Sequence, residues 1–515
     1  MSRKKTVDAR YRLARETGTV IKDWGGRLPF ALVYPNSYYI GMSNLGIHAL
    51  YSQLNGYNSA VCERFFYEAP GDKPVTPLSL ESQRPFPDFP VIGFSVTYEL
   101  DFFNVVGILQ AAGIPLYSAD RDERHPILIA GGPCVTANPA PLSPFFDCMA
   151  IGEAEAIIPS VLPVLENGIG EDRDTLLKEL ARIPGIYVPR FPPESPVQRQ
   201  FVKDLDNFPT HTVILTPDTE LGNLYLVEAE RGCSHGCRFC MVGTIFSPAR
   251  YRSLESILEQ AEEGLKHRKR IGLVGPSVSD HPQFDEILSG LRDLSAEISV
   301  SSLRIKPLPE SGLAELAQGR AKTIALAPEA GSQRLRSFIR KGINGDDILA
   351  AMHRVAEHGF RQLKLYFMVG LPSETDDDIE ELAALTLKCK EILDERRSGC
   401  RITLSVAPFV PKPGTPFERQ PMEDLPVLNH RISTLKKTLE PSGISVKADS
   451  PGWSRVQGVL AQGDMRLAEV LADIEDISLP GWRKALEKHG MDESRYLRAK
   501  PENEKLPWDA IDHHA

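Results

Sequence analysis

Two periodicities alternate along this chain. Apolar runs of strand length recur between longer stretches in which apolar residues return every three or four positions. Ala31–Tyr34, Val91–Ser95, Ile127–Ala130 and Met149–Ile151 read as buried strands. An amphipathic helix follows the last of them, from Gly152-Glu153-Ala154-Glu155 through Leu165. Strands alternating with helices predict a parallel, doubly wound (Rossmann-like) α/β domain over residues 26–190, after a basic, polar lead-in at 1–25. Residues 191–222 are rich in proline and charge and read as a linker running toward the next domain.

Six more strands follow, near 224–230, 271–275, 298–302, 323–327, 363–369 and 402–407. Helices such as Ser253–His267 and Asp376–Asp394 fall between them, the latter opening on Asp376-Asp377-Asp378, a favourable helix N-terminus. This strand-then-helix repeat predicts a partial (β/α)6 barrel over residues 223–425. From 426 to 515 the pattern changes to helices with turn breaks, a small helical C-terminal extension. Trp453, Trp482 and Trp508 are expected to pack it onto the barrel.

The candidate chemistry lies where the first barrel strand ends. Arg231-Gly-Cys-Ser-His-Gly-Cys-Arg-Phe-Cys240 places Cys233, Cys237 and Cys240 at C-x3-C-x2-C spacing. Three thiolates can hold three irons of a 4Fe–4S cluster and leave the fourth iron free for a ligand. A closed zinc site would need a fourth ligand, for which His235 is the local choice, in a loop too tight for easy tetrahedral closure. Phe239 is placed to shield a cluster from water.

These residues resemble the radical S-adenosylmethionine (SAM) superfamily, whose signature is this spacing with an aromatic before the last cysteine. The resemblance implies a partial barrel with the cluster at its C-terminal mouth. It implies that SAM chelates the free iron and is cleaved by reduction to methionine and a 5′-deoxyadenosyl radical, with flavodoxin or ferredoxin as electron donor. It also implies a SAM site at the strand ends. Gly275, Pro276 and Ser277 stand where the superfamily has a small-residue motif for the SAM amino group. Ser302 and Arg304 point toward the barrel. Glu329 is placed to accept ribose hydroxyls, and Arg334, Arg336 and Arg340 to meet the SAM carboxylate, since guanidinium pairs bidentately with carboxylates. Gly370 belongs to a glycine-bearing fifth-strand motif, and Phe409 to a stiff proline-rich loop near the adenine. Lys364, a lysine in a mostly apolar strand, needs a partner or a catalytic task.

Gly131-Gly132-Pro133, Gly152-Glu153-Ala154-Glu155 and Ser95-Val96-Thr97 resemble the cobalamin-binding domain fused to many radical SAM enzymes. The resemblance implies cobalamin contacts at Ser95, Thr97, Gly131, Gly132 and Glu153. The Asp-x-His-x-x-Gly signature that supplies a cobalt ligand is missing, so cobalamin is expected without a protein imidazole. The function implied is a cobalamin-dependent methyltransferase acting on an unactivated carbon. Its alternatives are a cobalamin-independent radical enzyme and a non-enzymatic zinc scaffold.

Bulk properties narrow the partners. Net charge is −10, which argues against broad binding to nucleic acid or anionic membrane. No apolar stretch approaches a membrane span, and no signal peptide follows Met-Ser-Arg-Lys-Lys. Eight cysteines, three of them clustered, suit a reducing cytoplasm. Cys62, Cys134, Cys148, Cys389 and Cys400 are scattered and read as buried apolar thiols.

Overall fold

The computed structural model describes residues 9–67, 76–301, 303–306, 308–319 and 322–514, so Ser302 lies outside the described residues. The chain divides into two compact units. One comprises 1–225, 460–492 and 505–515; the other comprises 226–459 and 493–504.

The N-terminal unit is built on a six-stranded sheet. Its strands are β1 (Leu28–Tyr34), β2 (Ala60–Phe66), β3 (Val91–Ser95), β4 (Ile127–Gly131), β5 (Cys148–Ala150) and β6 (Ile186–Tyr187). They lie in the order β2-β1-β3-β4-β5-β6, parallel except for the antiparallel β6. The order reverses between β1 and β3, the topological switch point of a doubly wound sheet. Both faces are covered. Leu28, Val91, Ile127 and Ile129 pack with Ile157, Val161 and Leu165 of helix Ala154–Gly168. Leu32, Tyr34 and Cys62 pack with Ile47, Tyr51 and Leu54 of helix Leu45–Gly56.

Strand β2 escapes an apolar-run reading because Glu63 and Arg64 interrupt it. Both are buried and satisfied. Arg64 makes 2.7 Å ion pairs with Glu16 and Glu81, and Glu63 accepts from the Trp24 indole at 2.8 Å. A buried charge survives in a strand when its partners are supplied from elsewhere in the chain.

The segment read as a linker does not run free. Val197–Gln198 pairs in parallel with Ile511–Asp512, and Gln200 bridges to Gly152. His513 sets its Nε2 at 3.1 and 3.0 Å from the carbonyls of Thr136 and Ala137. Both the linker and the chain terminus therefore lie on the N-terminal unit, at the carboxyl ends of β4 and β5. The expected helical extension also divides. Residues 460–492 join the N-terminal unit, where Trp482 packs edge-on against Phe103 at 5.8 Å rather than on the barrel.

The second unit carries the barrel strands in two arcs. β7 (Tyr225–Glu228), β8 (Arg270–Val274) and β9 (Glu297–Val300) form one, in the order β9-β8-β7. β10 (Thr323–Glu329), β11 (Gln362–Val369), β12 (Arg401–Pro408) and β13 (Ser445–Ala448) form the other, in chain order. The six expected strands are present, and β13 adds a seventh beside β12, paired in parallel. Alternation is clear on β11. Leu363, Leu365, Phe367 and Val369 are buried, whereas Lys364 and Met368 are partly open and Tyr366 is 41% exposed. Successive strand residues face opposite sides, so β11 turns an apolar side to its packed face and a polar side to the other. Capping boxes at Asn344/Asp347 and Thr375/Asp378 start the helices Gly345–Glu357 and Asp376–Glu395 that flank it. No described helix is long and apolar enough to cross a membrane.

Candidate functional site

The cysteine loop opens at Gly232. Its φ is +83°, and a Cβ there would sit 2.4 Å from the Phe246 carbonyl and 2.6 Å from that of Pro248. Only glycine fits this left-handed, crowded position. Cys233, Cys237 and Cys240 are free thiols at intermediate exposure, and the other five cysteines are buried.

Two anchors brace the loop. Arg238 donates its backbone N–H to Ile339 at 3.1 Å and its guanidinium to the Phe338 carbonyl at 3.0 Å, while accepting from the Phe417 N–H at 3.1 Å. Phe239 packs on an apolar cluster of Ala330, Leu335, Ile339, Leu371, Phe409 and Phe417. The loop is thereby pinned to the carboxyl ends of β10, β11 and β12. Phe409 is a core residue of that cluster, 2% exposed, and its N–H is spent on Val369 at 2.8 Å.

His235 is bound to Asp280, which also accepts from the Ser277 hydroxyl. The Arg304 guanidinium lies 3.9 Å from the same carboxylate. The imidazole is therefore turned to Asp280 rather than to the thiols. Among the described residues, no three His, Cys, Asp or Glu side chains converge tightly enough for a single metal ion. Three thiols on one braced loop, whose one histidine is bound to Asp280, match the ligand set of a 4Fe–4S cluster with one free iron.

Around the thiols the charges are arranged. Burial raises the Cys237 thiol pKa, and Lys341 and Arg304 oppose that rise. Burial also raises Cys240, against the N–H groups of Val242 and Gly243. Glu329 ends β10 at a φ of +69°, a left-handed conformation that costs a non-glycine residue about 1–3 kcal/mol. Lys341 pairs with it at 3.1 Å. Burial raises the Glu329 pKa, and Lys341 counters it. Lys341 has no motif of its own in the sequence; only its place after the helix Gln333–Phe338 points to it.

The Gly275-Pro276-Ser277 turn rests on a carboxylate that sequence reasoning passes over. Glu230, 3% exposed, accepts from the Ser277 N–H. A Cβ on Gly275 would lie 2.4 Å from the Glu230 side chain, so glycine is required there. Burial pushes Glu230 up to about 7, with Asp280 adding to the rise and the Ser277 N–H opposing it.

Other expected SAM contacts are spent elsewhere. Arg334 bonds Ser373, at 3.1 Å to its hydroxyl and 2.8 Å to its carbonyl, and pairs with Asp378; its guanidinium holds a turn and a helix N-terminus. Arg336 is buried on the carbonyls of Ala330 and Gly331. Arg340 brings its carbonyl to 3.9 Å from the Cys237 sulfur and leaves its side chain exposed. Gly370 has φ +78°, and a Cβ would meet Leu428 at 2.6 Å, so glycine here admits the neighbouring helix; its N–H goes to Glu374 at 2.6 Å. Lys364 is the third residue of β11, five residues short of the strand's end and roughly 17 Å below it at ~3.3 Å per residue.

Two family models match the chain, one for the N-terminal region of radical SAM proteins over residues 46–189 and one for the radical SAM superfamily over 227–386. The uncharacterized protein MJ0966 of Methanocaldococcus jannaschii is 33% identical over 86% of this chain and 90% of its own length.

The chain belongs to the radical SAM superfamily. It is a radical SAM enzyme, and its N-terminal unit is a doubly wound α/β domain matched by the family model for the N-terminal region of radical SAM proteins. Among partial relatives, an uncharacterized methyltransferase of Pyrococcus horikoshii, PH0819, is 24% identical over 52% of this chain and 58% of its own length. The solved cobalamin-dependent SAM radical enzyme OxsB with aqua-cobalamin bound matches with a TM-score of 0.48 at 17% identity, over 72% of this chain and 55% of that one.

The N-terminal residues expected at cobalamin make contacts within their own unit. A Cβ on Gly132 would meet the Val96 carbonyl at 2.6 Å, so this glycine serves the packing of the β3 loop. Glu153 accepts from the Val202 N–H at 3.1 Å. Thr97 is bonded to the Tyr34 hydroxyl at 2.9 Å, and Asn36 to Asp101 at 2.7 Å, so polar bridges close the switch point between β1 and β3. Ser95 is buried, and Gly131 is a ladder partner of Ser95 at the end of β4. Beyond β5 Gln200 bridges to Gly152, and beyond β4 His513 bonds the Thr136 carbonyl.

Proposed function

We propose that this radical SAM enzyme abstracts hydrogen from a substrate held in its barrel, and does so without cobalamin. The observation that carries the reading is the braced loop of Cys233, Cys237 and Cys240, whose one histidine is held by Asp280. When bound there, a 4Fe–4S cluster supplies the electron that splits SAM to methionine and a 5′-deoxyadenosyl radical.

The chain's own residues position and shield. Glu329, at a strand end and kept near a cation, accepts the two ribose hydroxyls of SAM. The carbonyls of the Gly275–Ser277 turn, held by Glu230 from below, receive the SAM amino group. Arg304, on Asp280 and close to Cys237, meets the carboxylate. Phe239, Phe409 and Phe417 keep water from the loop side. A flavodoxin or ferredoxin supplies the electron. The name of the Pyrococcus relative makes group transfer one outcome for the substrate radical; rearrangement, ring closure and decarboxylation are the others.

Cobalamin independence rests on Gly132, Glu153 and Thr97, each used inside its own unit. Anaerobic reconstitution with iron, sulfide and hydroxocobalamin, followed by metal counts and assay of 5′-deoxyadenosine, tests both halves. About four irons per chain with 5′-deoxyadenosine and no retained cobalt is the expected result. One cobalt per chain would overturn the cobalamin-independent half, and zinc without iron would overturn the radical reading.

A further inference from the structure

The inner face of the second barrel arc is cationic and hydroxyl-bearing. Strand register gives its rows. Ala325, Lys364 and Thr403 share one row across β10, β11 and β12; Tyr366, Ser405 and Lys447 share the next across β11, β12 and β13. Register partners in a sheet point to the same side. The row below confirms the facing through contact, since Gln362 donates to Thr403 at 3.0 Å and accepts from Thr323 at 3.3 Å.

Among the described residues, Lys364 and Lys447 have no ion pair and no hydrogen-bond acceptor, whereas Lys341, Lys306, Lys390 and Lys488 each have a carboxylate within 3.1 Å. Asp449, which follows β13, makes no ion pair with Lys447. The two lysines stand two strands and two residues apart, about 12 Å between Cα atoms at ~4.8 Å per strand and ~3.3 Å per residue. Ammonium groups on such long stems can converge on one ligand at that separation. Ala325, small and beside Lys364, leaves room, and the Tyr366 and Ser405 hydroxyls lie on the same face. Lys364 also lies too far below the strand ends to act at the cluster.

We propose that Lys364 and Lys447, the first half-buried and the second exposed on the open face of the arc, bind the anionic end of a small substrate, a carboxylate or phosphate, so that its reacting carbon is held toward the cysteine mouth. This rests on the radical SAM reading of the same site. It assigns a substrate class: a polar metabolite with at least one anionic group, not a neutral lipid. Both lysines are recognition residues, and neither touches the reacting atoms.

The test is isothermal titration calorimetry of cluster-loaded full-length protein with inorganic pyrophosphate and with citrate. Wild type is compared with Lys364→Gln, Lys447→Gln, the double variant and Lys364→Arg. Wild type is expected to bind at least one probe, and the preferred probe separates phosphate from carboxylate recognition. The double variant is expected to lose at least tenfold in affinity, each single variant less, and Lys364→Arg to recover most of it, with iron content constant throughout. Equal affinity in wild type and double variant, or no binding of either probe, would overturn the proposal. Wild-type formation of 5′-deoxyadenosine is measured in parallel. If it occurs while binding ignores the lysines, only the substrate class fails; if it does not occur, the radical reading itself fails.

Discussion

Lys341 holds its ammonium 3.1 Å from the carboxylate of Glu329 at the barrel mouth, where one bears on Cys237 and the other on Cys240. The pair ties the end of β10 to the thiol loop. On the proposed SAM site, Glu329→Gln removes the charge that would accept the ribose hydroxyls, an expected loss of about 1.5–3 kcal/mol for a charged acceptor. SAM affinity should fall on the order of tenfold or more at unchanged iron content. Equilibrium dialysis with labelled SAM measures it, and unchanged affinity would remove Glu329 from the SAM site.

The three loop cysteines should behave as a set. Each of Cys233→Ser, Cys237→Ser and Cys240→Ser is expected to cut bound iron sharply and bring 5′-deoxyadenosine to background, with the far-ultraviolet circular dichroism intact. Cys389→Ser, a change at a fully buried thiol, should keep iron and cost stability instead. Iron loss in Cys389→Ser equal to that in the loop variants would contradict this division.

Gly232→Ala places a methyl against two carbonyls at a left-handed φ. Strain of about 1–3 kcal/mol is expected from the backbone alone. The effect should be local: thermal unfolding shifts modestly while reconstituted iron drops. Normal cluster loading in this variant would show that the loop does not depend on its opening turn.

Glu230 gives the fold a pH dependence of definite sign. Its folded pKa, pushed up to about 7, exceeds the ordinary value of 4.5. Below pH 4.5 the group is protonated in both states and carries no penalty. Between 4.5 and about 7 the folded state keeps a proton that the unfolded chain releases, so stability falls as pH rises. Above that the penalty is complete, roughly 3 kcal/mol at about 1.4 kcal/mol per pH unit. Glu230→Gln keeps an acceptor for the Ser277 N–H and should stabilise the protein at pH 8 while flattening the decline. Glu374, also raised to about 7, retains its own share of the slope. Denaturant melts at pH 5 and pH 8 test this, and an unchanged difference between wild type and variant would refute it.

The sequence by itself determined the elements whose signal is local. Strands β3, β4, β8 and β11, the two helices that begin at Leu254 and Asp376, and the cysteine loop all follow from apolar runs, helix-opening residues and spacing. Only the tertiary structure decided which charged residues were free. Arg334 and Arg336 look like anion ligands in a string of letters, but Asp378 and the Ala330 carbonyl claim them. Glu230 and Lys341 carry no motif, and long-range folding gives them their roles. Gly132 and Gly370 show the same limit: the motif around each was legible, and the fold alone set Val96 and Leu428 against them. The terminal segment crosses back to pair with Val197–Gln198 because backbone ladders join whatever strands the fold brings together. The physical reason is common to all of these. Periodicity and spacing act along the local chain, while pairing of charges and filling of space act between whatever residues the fold brings together, from Ala330 and Arg336 to Val197 and Ile511.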